Sequence, residues 1–523
     1  MKLFKSLTLA TALALTALPS LAADLMIGRA NEPQSIDPQF SRTGPNQMTA
    51  LHIFDRLVLT DANVRSYPGL AESWTNVDPL TWDVHLRKGV TFHDGSPFTA
   101  ADVVFSLERA PNVPNSTASF EASVATIDTM TIVDDHTIRF TTTEPDPVFL
   151  NSIGTVYIVS KAATEGMTSE DFNSGAAAIG TGPYKFVSWT PGDRLELTRN
   201  DAYWGEAPAY ENVTMRFISN DAARVAALLS DAVDLIDLVP PADLPNLRAN
   251  PDINVYDTPT VRLIYLALNQ AQDAPGLTDL NGNPLPENPF MDARVREAVS
   301  LMIDRQAIID RLLYGAGEAA SQIVPTGVYG FNPDIPAPQI DIDRAKALLA
   351  EAGYPDGFGV TVYSSNDRFS QDGELAQVLG QFLARGGLKV NGVETYPYAV
   401  YSKEAGQNAY GMFVFSYGNS TGESSRGLLS AIHTYDKDGS GNGSLNRFRY
   451  SNPAFDAAVV AAAQIFDADA REAALQAAAA IAAADTAVVP LYFQALSWAS
   501  TSDVAFTARR DERTLAMGAR PAE

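Results

Sequence analysis

Residues 70–109 read LAESWTNVDPLTWDVHLRKGVTFHDGSPFTAADVVFSLER, and their reading decides the fold. Trp82, Val84 and Leu86 alternate with Asp83, His85 and Arg87, the two-residue period of a half-buried strand. Lys88-Gly89 stops that strand, Val90 to Phe92 is expected to make a short second one, and Asp94-Gly95 tolerates the positive φ of a turn. A helix should follow. Thr99 can cap its first turn, Asp102 complements the helix dipole, and Val103, Val104 and Leu107 form an apolar stripe.

Outward from this segment, strand and helix signals alternate along the whole chain, which indicates a mixed α/β architecture. Residues 179–205 predict a strand, a Pro191-Gly192 turn and a second strand in which Leu195 and Leu197 share a face. Helices are predicted after Asp221, Asp292, Asp304, Asp341, Asn452-Pro453 and Asp467, with Gly315 and Gly353 as stops. The Ala-rich stretch 473–484 is too short and too weakly apolar to span a bilayer. At 523 residues the chain exceeds what one core serves, so two or more domains are expected.

The N-terminus predicts a secretory signal: Lys2 and Lys5 precede an apolar run from Leu7 to Leu18, and cleavage is expected after Ala22, before Ala23. The chain has no cysteine, so neither a lipid-anchored cysteine nor a disulfide is possible, and a free periplasmic protein is expected. Removing Lys2 and Lys5 leaves 35 basic residues against 62 acidic ones, a net charge of −27. Nucleic acid and anionic lipid are therefore poor partners.

Beside the opening segment stand GTGPYKFVSW (180–189), RNDAYWG (199–205), NPFMDARVREAVSLMIDRQAI (288–308), KALLAEAGYPDGF (346–358), RYSNPAFD (449–456) and VVPLYF (488–493). In this order they resemble the family 5 extracellular solute-binding proteins, the peptide, nickel and oligosaccharide receptors of ABC importers. The resemblance implies a type II periplasmic-binding-protein fold of two lobes joined by crossover strands, with an extra domain. It divides the chain into residues 23–60, 185–268 and 488–523 as lobe I, 61–184 as the extra domain and 269–487 as lobe II. It further implies a monomer that passes a small solute to a membrane permease.

The residues offer little chemistry for catalysis. Gly418-Asn419-Ser420-Thr421-Gly422 fits the GxSxG of a nucleophile elbow, so a secreted serine hydrolase using Ser420 is an alternative. Its histidine would have to be His433, at the far end of the same predicted helix, where a triad cannot form. The five histidines show no paired metal-ligand spacing. Asp436-Lys437-Asp438-Gly439-Ser440-Gly441 starts like a calcium loop but meets Arg447 where the bidentate glutamate belongs. No phosphate cradle occurs, so a non-enzymatic protein without metal or cofactor is expected.

A binding cleft needs aromatic walls and a few polar groups that penalise the wrong ligand. By resemblance, one wall is the loop with Ser41, Thr43, Gly44 and Asn46, and the other is Phe415, Tyr417, Asn419, Ser420 and Glu423. Tyr265 and Asn269 are expected on the crossover strand, lining the hinge. Peptide-binding relatives place an aspartate three residues after the aromatic, for the ligand's ammonium. Here Ser420 holds that position, leaving Glu423 as a substitute and Arg447 as a partner for a carboxylate. A peptide or peptide-like solute leads, with an oligosaccharide, opine or metal chelate as alternatives.

Overall fold

The structure is a computed structural model describing residues 24–419, 421–436 and 441–522. The signal segment with its Ala22-Ala23 junction, Ser420 and most of the 436–441 loop lie outside the described residues.

Residues 70–109 fold largely as their pattern dictates. Strand Ala71–Asp78 pairs antiparallel with Thr81–Leu86, and Trp82, Val84 and Leu86 are its buried face. With Thr137–Thr142 and Ile127–Asp134 they form a four-stranded antiparallel sheet. Helix Ala100–Arg109 begins in a capping box in which Thr99 donates its amide to Asp102 Oδ2 at 2.9 Å; separately, Asp102 Oδ1 accepts from the Lys161 amide at 2.9 Å. The expected strand from Val90 to Phe92 does not form. Phe92 and Phe98 donate to the Ser96 and Val90 carbonyls around Gly95 (φ 87°), leaving only Thr91 and Pro97 as a bridge. The loop is too tightly closed to extend a ladder.

A single 11-stranded sheet runs through the molecule. Its order is Lys389–Tyr396, Gly359–Ser365, Met412–Gly418, Ile253–Leu268, Val489–Thr501, Leu235–Ile236, Asp24–Arg29, Asn212–Phe217, Arg194–Arg199 and Tyr184–Thr190, with Gly317–Ala319 pairing beside Val489–Thr501. The 16-residue strand Ile253–Leu268 and the 13-residue strand Val489–Thr501 are shared by both ends. They give the molecule its two lobes.

Each lobe has its own packing. One core joins Leu25, Ile27, Val213 and Met215 with Trp82, Val84, Phe140 and Leu107 of the four-stranded sheet and its helix, and with Trp498 and Phe506. In the other lobe, the strand ending at Leu268 is buried on both faces. Ile264, Leu266 and Leu268 pack against helices Ala293–Leu301, Ile342–Glu351 and Asp372–Gly386, while Leu263, Tyr265 and Ala267 meet helices Tyr398–Gly406, Pro453–Ala463 and Ala468–Ala484. A strand covered on both sides reads as a continuous apolar run, as VRLIYLAL does.

Between the lobes the long ladder breaks register from Pro259 to Leu263. Proline has no amide to donate, and the Val261 amide turns out to the Arg510 carbonyl at 3.0 Å. Arg510 in turn donates to the carbonyls of Pro259 at 3.1 Å and Thr326 at 2.6 Å. The segment around Arg510 straps this bulge to Thr326 of the second lobe.

Candidate ligand-binding site

The first candidate wall precedes helix Gly44–Ile53. Ser41 and Asn46 are buried there and work on the loop itself. Ser41 Oγ and Thr43 Oγ1 lie 3.1 Å apart, Thr43 Oγ1 donates to Asn46 Oδ1 at 3.2 Å, and Asn46 also accepts the Gln34 amide and donates to the Ser35 carbonyl. Their polar atoms shape the wall more than they offer contacts. Arg42, on the same loop, is exposed and its guanidinium has no ion pair among the described residues.

The second wall follows strand Met412–Gly418. Asn419 is fully buried: its Nδ2 donates to the Glu423 carbonyl at 2.6 Å and its Oδ1 accepts from the Thr421 amide and hydroxyl. It therefore folds the loop and is not free for a ligand. Glu423 is 3% exposed, and its carboxylate is held by Arg471 at 2.5 Å and by the Ser425 hydroxyl. Burial pushes its pKa up while Arg471 opposes the shift. A carboxylate so engaged does not replace the missing aspartate as partner for a ligand's ammonium. Next to it, Arg426 opens the following helical turn, exposed and without an ion pair.

The Arg42 guanidinium is held below its ordinary value first by partial desolvation and then by the charge of Arg426. Arg426 also acts on Asp146, a carboxyl that burial pushes up and Thr126 bonds at 3.0 Å. Behind the second wall, Tyr265, Phe415, Tyr398, Tyr401 and Phe448 form an aromatic group. Arg447 stacks on Phe415 with its guanidinium carbon 4.6 Å from the ring centre, and its buried Nε has no partner.

Tyr265 packs in the core of the second lobe, at a second register shift of the same ladder between Ile264 and Tyr265. Asn269 is fully buried and donates to Asn408 Oδ1 and the Tyr410 carbonyl at 2.8 Å each, fastening the end of its strand. The sequence pattern placed Tyr265 on the strand it occupies and Asn269 directly after that strand's end, but where the ladder breaks depends on Pro259 and on the distant Arg510. The resemblance placed Arg42 within the first loop but gave it no role, and Arg426 escaped the reading, because nothing local marks an arginine as lacking a carboxylate. His433, the only histidine after Ser420, has Nδ1 2.8 Å from the Thr434 carbonyl.

Two lobes sharing two long strands define a protein of the two-lobed solute-binding type. The chain matches the profile of the bacterial extracellular solute-binding proteins, family 5, over residues 65–439, and it belongs to that family. It is 29% identical over 434 residues to heme-binding protein A of Haemophilus influenzae, covering 77% of this chain and 75% of that one. To the dipeptide-binding protein of Escherichia coli it is 28% identical over 406 residues, 71% and 72% of the two chains. The ABC transporter-associated periplasmic binding protein DppA of Helicobacter pylori, in complex with the peptide STSA, superimposes with a TM-score of 0.73 at 25% identity, over 96% of this chain and 98% of that one. The unliganded open form of the periplasmic murein tripeptide-binding protein MppA does so with 0.80 at 23% identity, over 95% and 97%. Proteins of this family are periplasmic and deliver small solutes to ABC permeases. Among the described residues no helix is long and apolar enough to cross a membrane.

Proposed function

We propose that this chain captures a peptide or peptide-like solute between its lobes and that the solute's acidic end is what the site reads. Arg42 of one wall and Arg426 of the other, both exposed and without an ion pair among the described residues, carry this reading. With a cation on each wall, an anion that contacts both is bound best when the lobes close, so an acidic solute shifts the population toward the closed form. Arg447 on Phe415 supplies a third donor with an unused N–H. The ammonium end finds no free carboxylate on the second wall, because Glu423 serves Arg471. Peptide relatives support the class, and the sites we assign are Arg42, Arg426 and Arg447.

In this reading the protein performs no catalysis, leaves the cytoplasm through its N-terminal signal and works as a free monomer. The lobes divide as the family pattern implies, with the hinge at Pro259 to Leu263. Calorimetry with free and C-terminally amidated versions of one short peptide tests the assignment. The free acid is expected to bind at least tenfold more tightly. Equal affinities would overturn it.

A further inference from the structure

Away from the cleft, a cavity of about 460 Å³ opens in the first lobe, lined among others by Arg56, Arg509, Tyr67, Tyr203 and Ala207. Arg56 is 4% exposed, yet it has no ion pair. Its Nε is buried without a partner, its one side-chain hydrogen bond is a long 3.5 Å contact to Thr60 Oγ1, and its guanidinium lies 5.7 Å from the Tyr157 ring centre. Five donors in a site screened from water need acceptors, and the protein supplies almost none.

The surrounding charges do not make up the deficit. Arg509 and Arg513 share the single carboxylate of Asp511, at 2.6 and 3.2 Å. Asp55, next in the chain, has its oxygens taken by Trp204 Nε1 at 2.7 Å, Thr181 at 2.9 Å and Tyr203 at 3.2 Å. Glu206 stands exposed on the cavity lining and Arg520 balances it there. In a protein of strongly negative net charge, this is a local excess of buried positive charge around an empty volume. Burial and the neighbouring arginines hold Arg56 down to about 10, with Tyr157 and Asp511 pulling the other way.

We infer that this cavity is a seat for a small oxyanion, such as sulfate, phosphate or a short carboxylate, received by the unpaired guanidinium of Arg56. Two oxygens on one anion match the fork of a guanidinium, and such bonds are stronger than neutral ones. The seat lies behind the hinge strap: Arg509 donates to the carbonyls of Thr60 and Asp61 at 3.0 Å each, and the next residue reaches the hinge and the second lobe.

Thermal unfolding of the purified protein in sulfate, phosphate or acetate, against chloride at equal ionic strength, tests the seat together with the anomalous map of a selenate-soaked crystal. The expected result is a saturable rise in midpoint for at least one oxyanion and a selenate peak within hydrogen-bond reach of Arg56. The rise should vanish in Arg56→Gln, and also in Ala207→Trp, which fills the cavity and leaves the guanidinium intact. Should Arg56→Gln not fold, Ala207→Trp and the map decide. No rise beyond chloride with no peak at Arg56, or an equal rise in folded Ala207→Trp, would overturn the inference.

Discussion

His52 is fixed in one protonation state by its neighbours. Its Nδ1 lies 2.7 Å from the Met48 carbonyl and its Nε2 accepts the Ala516 amide at 3.0 Å, so the neutral ring satisfies both and an imidazolium would lose the second. Burial is the main cause that depresses its pKa to about 3, and burial likewise depresses His93 to about 4. A depressed folded value means that stability is complete above the unfolded pKa near 6.5 and is lost as pH falls toward the folded value. For the fully buried His52 this is at most about 5 kcal/mol. Denaturant midpoints are therefore expected to drop from pH 6.5 to 3.5, with a shallower slope in His52→Gln; an unchanged slope would remove His52 from the account. Glu423 gives a second expectation at this scale. Glu423→Gln leaves Arg471 partly buried without its anion and should cost about 3 kcal/mol in chemical unfolding, whatever ligand is present. The sequence presented Glu423 as a ligand group because its partner lies 48 residues away, beyond any local pattern.

Among the elements, those with strong local periodicity were legible. Trp82, Val84 and Leu86 face inward as their alternation demands, and Thr99, Asp292, Asp341, Asn452 and Asp467 all stand at helix N-caps. Contacts between elements were not. Val64 is a buried β-branched residue at φ 67° whose side chain joins the core of the second lobe, and its carbonyl would lie 2.5 Å from a Cβ placed on Gly422, itself at φ 74°. Two left-handed backbones thus meet where the loop at Val64 touches the second wall. Gly422→Ala is expected to cost about 1–3 kcal/mol, since it adds both strain and a clash with backbone. A change below 0.5 kcal/mol (about the noise of such surface substitutions) would mean that this contact is not kept in solution.

For the whole molecule, the family and the two-lobed plan could be read from six phrases in order, but the recognition chemistry could not. It depends on which arginines the fold leaves unpaired, and that is a property of the assembled charges. Arg447→Gln should weaken an acidic solute by about 1.5–3 kcal/mol, seen in calorimetry as a tenfold loss or more, while leaving the thermal midpoint of the unliganded protein nearly unchanged. Closure around an anion is the central claim, and small-angle scattering of the mature protein titrated with a short acidic peptide addresses it most directly. The account predicts a fall in radius of gyration that saturates with peptide and is absent with the C-terminally amidated form. A peptide that binds without compaction, or compacts equally well without its carboxylate, would contradict it.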